Sequence, residues 1–534
     1  MNREEKKKLR GLLFLHLDGI AIAPTVSALY KGGIINYILN NPHFTFKKIS
    51  KKFKTNNGYL NVALRLFASQ GWMTRNILID GEEIDYILTK KGQIALSLSS
   101  KYASLDQYMP ILINMDNYLF NREENKYNKI FSKLIIDLKK IRSNKINQEE
   151  LEWEVIKHIE GLVVGPILVT IGMSDLLREM LETGGEIQDK IMTDFPLLKS
   201  VFDYFIILGW IKNNRFTDEG HFFMKRSSAY GVTVSYLPTF MQIPDLIFGN
   251  PNKIWKRTKN DLETHVNRRM NVWGSGGAHT LYFRKIDDIV TSLFNQPLKD
   301  QPIGIADMGC GDGTLLKHLY NVVKNNTLRG KYLGKYPLII IGADYNKAAR
   351  LASSITLKDA GIKYSILSGD ISDPHSYAQN LKEKFGLDLL QMLNVRSFLD
   401  HNRIYSRPIL SFHERKCNST GAFAFRGRWI PNNELKQNLV EHFSSWRNYI
   451  SKFGLLVLEL HTINPTITAS NLGNTAATAY DGTHGYSDQY IFEIDTMLSA
   501  ANEAGLMTEP QYQAQYPNNN LATISINLFK VEKK

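Results

Sequence analysis

Asp307, Gly309, Gly311 and Gly313 stand as D-x-G-x-G-x-G in "IADMGCGDGT", at the end of an apolar run. Glycines at that spacing let a backbone turn sharply and lie close to a ligand, and a helix opening near Thr314 would aim its free amides there. A dinucleotide turn would read G-x-G-x-x-G to admit a pyrophosphate. Here Asp312 sits inside the turn, a charge that repels phosphate and suits a cationic, phosphate-free cofactor. Asp344 closes the next apolar run, "YPLIIIGAD", where a carboxylate can accept both hydroxyls of a ribose. Asp370 closes "IKYSILSGD", where with Ile371 it can meet an adenine edge, and Asn394 in "DLLQMLNV" completes the cofactor-binding set. The same acids would also serve as helix caps.

A second cluster lies in "AYDGTHGYSDQY", residues 479–490, where His484 and Gln489 stand with Asp481 and Asp488 among glycines. Nitrogen and oxygen donors with vacant positions suit Fe2+ or Mn2+ rather than structural zinc. The other reading is a hydrated loop whose Asp488 caps the following helix. His461 ends "LLVLELH", either as a base facing an acceptor or as a satisfied core histidine. His279 and Tyr282, in "GSGGAHTLYF", either line the cofactor cleft or fix a loop. Asp400 and His401 in "FLDHNR" follow the fourth strand, where acceptor contacts sit. Arg396, Arg426 and Arg428 would pair with a substrate carboxylate or a carrier phosphate, or lie exposed.

Strands and helices must position these groups. From about residue 283 short apolar runs alternate with helical patterns, which predicts a doubly wound parallel sheet with ligands at the carboxyl ends of its strands. Residues 1–265 read as mostly helical and contain a repeat. "VALRLFASQGWM" followed by "ILTKKGQIALS" echoes "VFDYFIILGWI" followed by "RFTDEGHFFMK". Each is an apolar helix ending at Gly-Trp, a strand-like turn, and Thr-x-x-Gly opening another helix, the grammar of a winged helix. The helix after "TNNG" carries Arg65 as its only charge, too little to grip phosphate, so a scaffold is favoured over DNA recognition. Residues 228–262, broken by Pro238, Pro244 and Pro251, predict a linker or cap.

The chain has 534 residues, with 65 basic and 52 acidic. The excess is spread, with 36 basic and 29 acidic residues in 1–265 and 29 and 23 in the remainder, so no basic stripe argues for nucleic acid. Cys310 and Cys417 are the only cysteines, which excludes a disulfide framework and suits a reducing cytoplasm. The N-terminal "MNREEKKKLRGLLFLHLDGIAIAPTV" mimics a signal peptide, but His16 and Asp18 interrupt it, and an amphipathic first helix is expected. No run reaches the roughly 18 uninterrupted apolar residues of a membrane span.

The three strand-end acids resemble those of class I S-adenosylmethionine-dependent methyltransferases. "NVWGSGGAHTLYF" (271–283), "IADMGCGDGT" and "DGTHGYSDQY" together resemble the metal-dependent C-methyltransferase domain of polyketide loading modules, of the apratoxin starter-unit type. The resemblance implies a Rossmann-like core over 266–534 and a large, mostly helical, winged-helix-like lid over 1–265. It further implies a mononuclear site built on His484 and Gln489, and a malonyl-type thioester on an acyl carrier protein as the methyl acceptor. Two alternatives stand beside it: a metal-independent small-molecule O-methyltransferase that dimerises through its N-terminal domain, with His461 or His401 as base, and a winged-helix DNA-binding regulator with a vestigial core.

Overall fold

Five apolar runs become parallel strands: β1 (Gly304–Met308), β2 (Ile339–Asp344), β3 (Ser365–Ser368), β4 (Met392–Ser397) and β5 (Leu455–Leu460). Every residue of β1 and β5 is buried, as expected for strands covered on both faces. The short β6 (Leu506–Met507), β7 (Gln513–Tyr516) and β8 (Ile524–Val531) complete the sheet. Its order is β6-β8-β5-β4-β1-β2-β3, with β7 also on β8, and β8 runs antiparallel to β5. Strand order reverses between β1 and β4, so the crevice for a ligand opens at their carboxyl ends.

The computed structural model describes residues 1–122, 126–142, 151–182, 185–187, 194–258, 263–276, 279–412 and 417–532. The chain forms two units. The sheet belongs to the second, made of His279–Gly421, Pro431–Ile463 and Gln489–Lys534. The first consists of Met1–Ala278 together with Ala422–Ile430 and Asn464–Asp488. The sequence reading places one boundary at 265; contacts place the first break at 278/279 and return two later segments to the N-terminal unit.

The repeat in the first unit is a repeat of hydrogen bonds. Helices Asn57–Ser69 and Pro196–Leu208 each end at a left-handed glycine, Gly71 and Gly209, followed by a tryptophan. Trp72 N donates to Phe67 O and Trp210 N to Phe205 O, and Thr89 N and Thr217 N return to the two tryptophan carbonyls. Between lie the hairpins Met73–Ile79/Glu83–Leu88 and Ile211–Lys212/Arg215–Phe216. Thr89 Oγ1 then caps Gly92 N (3.0 Å) and Thr217 Oγ1 caps Gly220 N (3.2 Å). The glycine of Thr-x-x-Gly is obligatory because a Cβ there would lie 1.8 Å from Trp72 O in one copy and 2.2 Å from Trp210 O in the other.

Two expectations need correcting. Residues 228–258 hold four short helices, Ser228–Ser235, Leu237–Phe240, Ile243–Phe248 and a 3-10 turn at Pro251–Trp255. The three prolines sit in the first turns of the last three, where a missing N–H costs nothing, so they start helices here rather than breaking a linker. The first helix, Arg3–Lys31, is amphipathic only at its beginning and is buried on all sides from Leu15 to Leu29. It and Glu152–Gly172 are long and apolar enough to cross a membrane, with 94% and 89% of their apolar windows buried inside the protein. They pack against each other in the core of the first unit.

Candidate active site

The glycine turn follows β1 with Gly309, Gly311 and Gly313 at φ of 80°, 53° and 81°. A Cβ at Gly313 would lie 2.7 Å from Ser353 Oγ, whereas Gly311 faces open space along the cleft. Asp312 Oδ1 accepts Thr314 N at 3.0 Å and so puts a negative charge at the mouth of the Thr314–Asn326 helix. Asp344 holds the turn from the neighbouring strand: Oδ2 accepts Gly311 N (3.2 Å) and Oδ1 accepts Asn346 N (2.7 Å). Asp370 Oδ1 accepts Ser372 N (2.8 Å), and the Ile371 carbonyl accepts Trp446 Nε1 (2.9 Å). The acids at β2 and β3 thus shape their own loops while remaining half-buried at the strand ends.

Asp307 differs from them. It is 1% exposed, and its Oδ1 has no hydrogen-bond partner among the described residues. Burial, and then the Asp344 charge, push its carboxyl well above the usual carboxylate range. A buried carboxyl in that state keeps its proton, and a cation brought beside it would favour the charged form. Asn394 does not join this set. Its amide donates to the carbonyls of Leu389, Met392 and Tyr449 (3.3–3.4 Å), at the opposite end of β4 from the glycine turn.

At the carboxyl ends of β4 and β5 stands a pair of groups fit for proton transfer. His401 Nδ1 lies 2.6 Å from Glu459 Oε1, and Glu459 also accepts His401 N and Leu460 N. Asn402 Nδ2 lies 3.2 Å from His401 Nε2. Because the amide can only donate there and the carboxylate can only accept, the proton is on Nδ1 and Nε2 carries the lone pair. Tyr490 N donates to His401 O (2.8 Å), which brings Gln489 to within one residue of this pair. His461 takes the core-histidine reading. Its Nδ1 meets Phe492 O (3.1 Å), its Nε2 meets Ser525 Oγ (2.8 Å), and burial drops it to about 4, so it is a neutral core histidine with both nitrogens engaged.

The other candidates fall elsewhere. Tyr282 packs edge-on to Tyr516 beside β8. His279 begins the helix His279–Phe294, and its side chain lies outside the described residues. Arg396 is enclosed, stacked over Trp446 and paired with Asp400, which in turn meets His442 Nε2 at 2.8 Å. Arg426 stacks over Trp255 at 3.8 Å, and Arg428 is exposed on the hairpin strand that ends at Ile430.

The residues around His484 are helical rather than looped, spanning Ala477–Gly485. His484 Nδ1 lies 2.8 Å from Tyr480 O and 2.9 Å from Thr483 Oγ1. A carbonyl can only accept, so Nδ1 bears the proton and Nε2 the lone pair. Asp481 and Asp488, expected as ligands, are otherwise engaged. Asp481 pairs with Arg65 and Asp488 accepts from Tyr59 and Arg426 N. Asp488 does not cap the following helix, whose N-cap is Glu493. Among the described residues no three His, Cys, Asp or Glu side chains converge on a metal position.

Glu459, the partner of His401, is not among the residues the sequence singles out. Its signal was present as a lone carboxylate in the otherwise apolar strand "LLVLEL".

Comparison with known proteins gives three consecutive matches to family models: the AprA N-terminal domain over 9–75, the AprA winged helix domain over 160–250, and the AprA MT2-like domain over 263–527. No curated protein matches the chain. Among solved structures, an O-methyltransferase family protein from Burkholderia thailandensis aligns at 11% identity over 71% of this chain and 98% of its own, with a TM-score of 0.39. The CurJ carbon methyltransferase aligns at 10% identity over 81% of this chain and 99% of its own (TM-score 0.34), and LepI in complex with SAM at 8% identity over 81% and 100% (TM-score 0.39).

Proposed function

We propose, on the premise that this chain belongs to the AprA-type methyltransferases, that it methylates the α-carbon of a malonyl-type thioester borne on an acyl carrier protein in polyketide assembly. The chain is an S-adenosylmethionine-dependent methyltransferase; the carbon acceptor, the carrier and a divalent cation are our reading. The observation that supports the cation is His484. A backbone carbonyl on Nδ1 is the arrangement that orients metal-bound imidazoles, and it leaves Nε2 as the donor. His484 and Gln489 would hold Fe2+ or Mn2+, which would supply Lewis acidity to the two carbonyl oxygens of the acceptor.

The chain's own residues supply the rest. Asp344 and Asp370 would bind the ribose and adenine, and Asp307 would face the positive charge of the cofactor. His401 Nε2, once the Asn402 amide that donates to it turns aside, would take the α-proton, while Glu459 holds the imidazolium that results. The carbon electron pair then forms the new C–C bond as the sulfonium S–CH3 bond breaks, leaving a neutral thioether. The test is intact-mass measurement of a malonyl-loaded carrier after adding S-adenosylmethionine, with metal analysis of the purified protein. A methyl gain that depends on Fe2+ or Mn2+ and stops on chelation is expected; full transfer in excess chelator refutes it. The His401–Glu459 pair favours one second reading, base-driven methylation of a small-molecule hydroxyl, which chelation would spare and His401→Ala would silence.

A further inference from the structure

Asp481 and Asp488 flank His484 and lead into Gln489, yet both carboxylates are held by one N-terminal helix. Arg65 Nε donates to Asp481 Oδ2 at 3.1 Å, with side chains 2% and 4% exposed. Tyr59 Oη donates to Asp488 Oδ1 at 2.7 Å, and Arg426 N donates to Oδ2 at 3.0 Å. Tyr59 and Arg65 belong to the same helix, Asn57–Ser69. Asp488 sits at φ 52°, a left-handed conformation that Asp and Asn adopt more readily than other side chains. Two further contacts run the same way. Gln70 Nε2 donates to Thr478 Oγ1 at 2.9 Å, and a Cβ at Gly485 would lie 2.8 Å from Val62 Cγ1. The segment bearing His484 is therefore seated on the Asn57–Ser69 helix from its first turn to its last.

We propose that Tyr59 and Arg65 are positioning residues: through Asp488 and Asp481 they fix the direction of the His484 imidazole and of the backbone entering Gln489. Asp481 and Asp488 are handles, not ligands. The claim rests on the reading above for what His484 and Gln489 hold, a divalent cation. A donor pair contributed by a helix and the residue that follows its exit keeps its geometry only if both helix and exit are held, since ligand orientation comes from the partners behind the ligands.

The test uses the full chain and four variants, Tyr59→Phe, Arg65→Met, Asp488→Asn and Asp488→Ala. Mn2+ binding is followed by electron paramagnetic resonance, S-adenosylmethionine binding by calorimetry, and local order by hydrogen exchange of peptides covering 477–490. Tyr59→Phe, Arg65→Met and Asp488→Ala are expected to weaken Mn2+ binding by about 10- to 100-fold and to speed exchange across 477–490, with cofactor affinity changed by no more than about twofold. Asp488→Asn keeps an acceptor for Tyr59 and tolerates the left-handed backbone, so it should lie close to wild type. Unchanged Mn2+ affinity in Tyr59→Phe and Arg65→Met overturns the proposal, as does an Asp488→Asn loss equal to that of Asp488→Ala, which would make Asp488 a ligand. If Arg65→Met does not fold, Tyr59→Phe, which removes one hydroxyl, decides alone. A wild-type chain that binds no Mn2+ sinks the cation reading, and exchange rates over 477–490 then decide the positioning claim by themselves.

Discussion

Glu459→Gln tests whether the His401–Glu459 pair moves the proton. Glu459 Oε1 accepts from His401 Nδ1 at 2.6 Å and from Leu460 N at 2.7 Å, and Oε2 accepts His401 N at 3.2 Å, with the side chain 4% exposed. Glutamine keeps the shape and removes the charge. A hydrogen bond to a charged group contributes about 1.5–3 kcal/mol and a neutral one about 0.5–1.5, so about 1–2 kcal/mol of imidazolium stabilisation is lost. That converts to a rate about 5- to 30-fold slower. His401→Ala removes the base altogether and should slow transfer by about 10²- to 10⁴-fold. The assay is single-turnover intact-mass measurement on the loaded carrier at saturating cofactor, which separates the chemical step from binding. Cofactor affinity should be unchanged in both variants. Wild-type rates in both would refute proton removal by this pair, whatever chelation does.

Asp307→Asn should weaken S-adenosylmethionine binding by about 10- to 100-fold in calorimetry if the proposed placement holds, because the cofactor's positive charge would draw the proton off the buried Asp307 carboxyl and an amide has none to release. Asn394→Leu removes an amide that serves three backbone carbonyls and should cost about 1–3 kcal/mol in denaturant unfolding while leaving cofactor affinity intact; a loss of affinity would return Asn394 to the cleft. Asp18, raised to about 8 by burial, keeps a proton in the folded chain that the unfolded chain has already released, so its contribution to stability declines as pH rises from about 4 to 8. His158 and His461, lowered by burial to about 3 and about 4, take up protons mainly on unfolding, so stability also declines as pH falls below about 6.5; there the two histidines outweigh Asp18, so melts should peak near pH about 6.5, and Asp18→Asn should flatten the alkaline decline.

Backbone requirements were legible in the sequence because they are local. A glycine turn after a buried strand, or a threonine whose hydroxyl must meet a glycine amide three residues on, is written within a dozen residues. The acid at the end of β2 was legible for the same reason. Partners distant in sequence were not. Asp481 and Asp488 read as ligands because they neighbour His484, but Arg65 lies 416 positions from Asp481 and Tyr59 lies 429 from Asp488, and no local pattern announces either bond. His461 and Glu459 stand two apart at the end of β5, where both suit an active site. The outcome was set by Ser525 on β8 and Phe492, which occupy the two histidine nitrogens, and by His401, which claims the glutamate.

The winged-helix repeat raises the question of what such a unit does in a methyltransferase. A helix that reads DNA must present its side chains to the major groove and its cations to phosphate. The Asn57–Ser69 helix presents neither, being buried from Gly58 to Ser69, with its single cation closed inside the protein on Asp481. Burying that pair is costly unless its geometry is good, and a lone buried arginine would be worse than none. The segment Asn464–Asp488 is therefore part of what makes this helix stable, and the helix is part of what holds His484. The contacts by which a winged helix elsewhere would meet a nucleic acid are directed here at the protein's own chain.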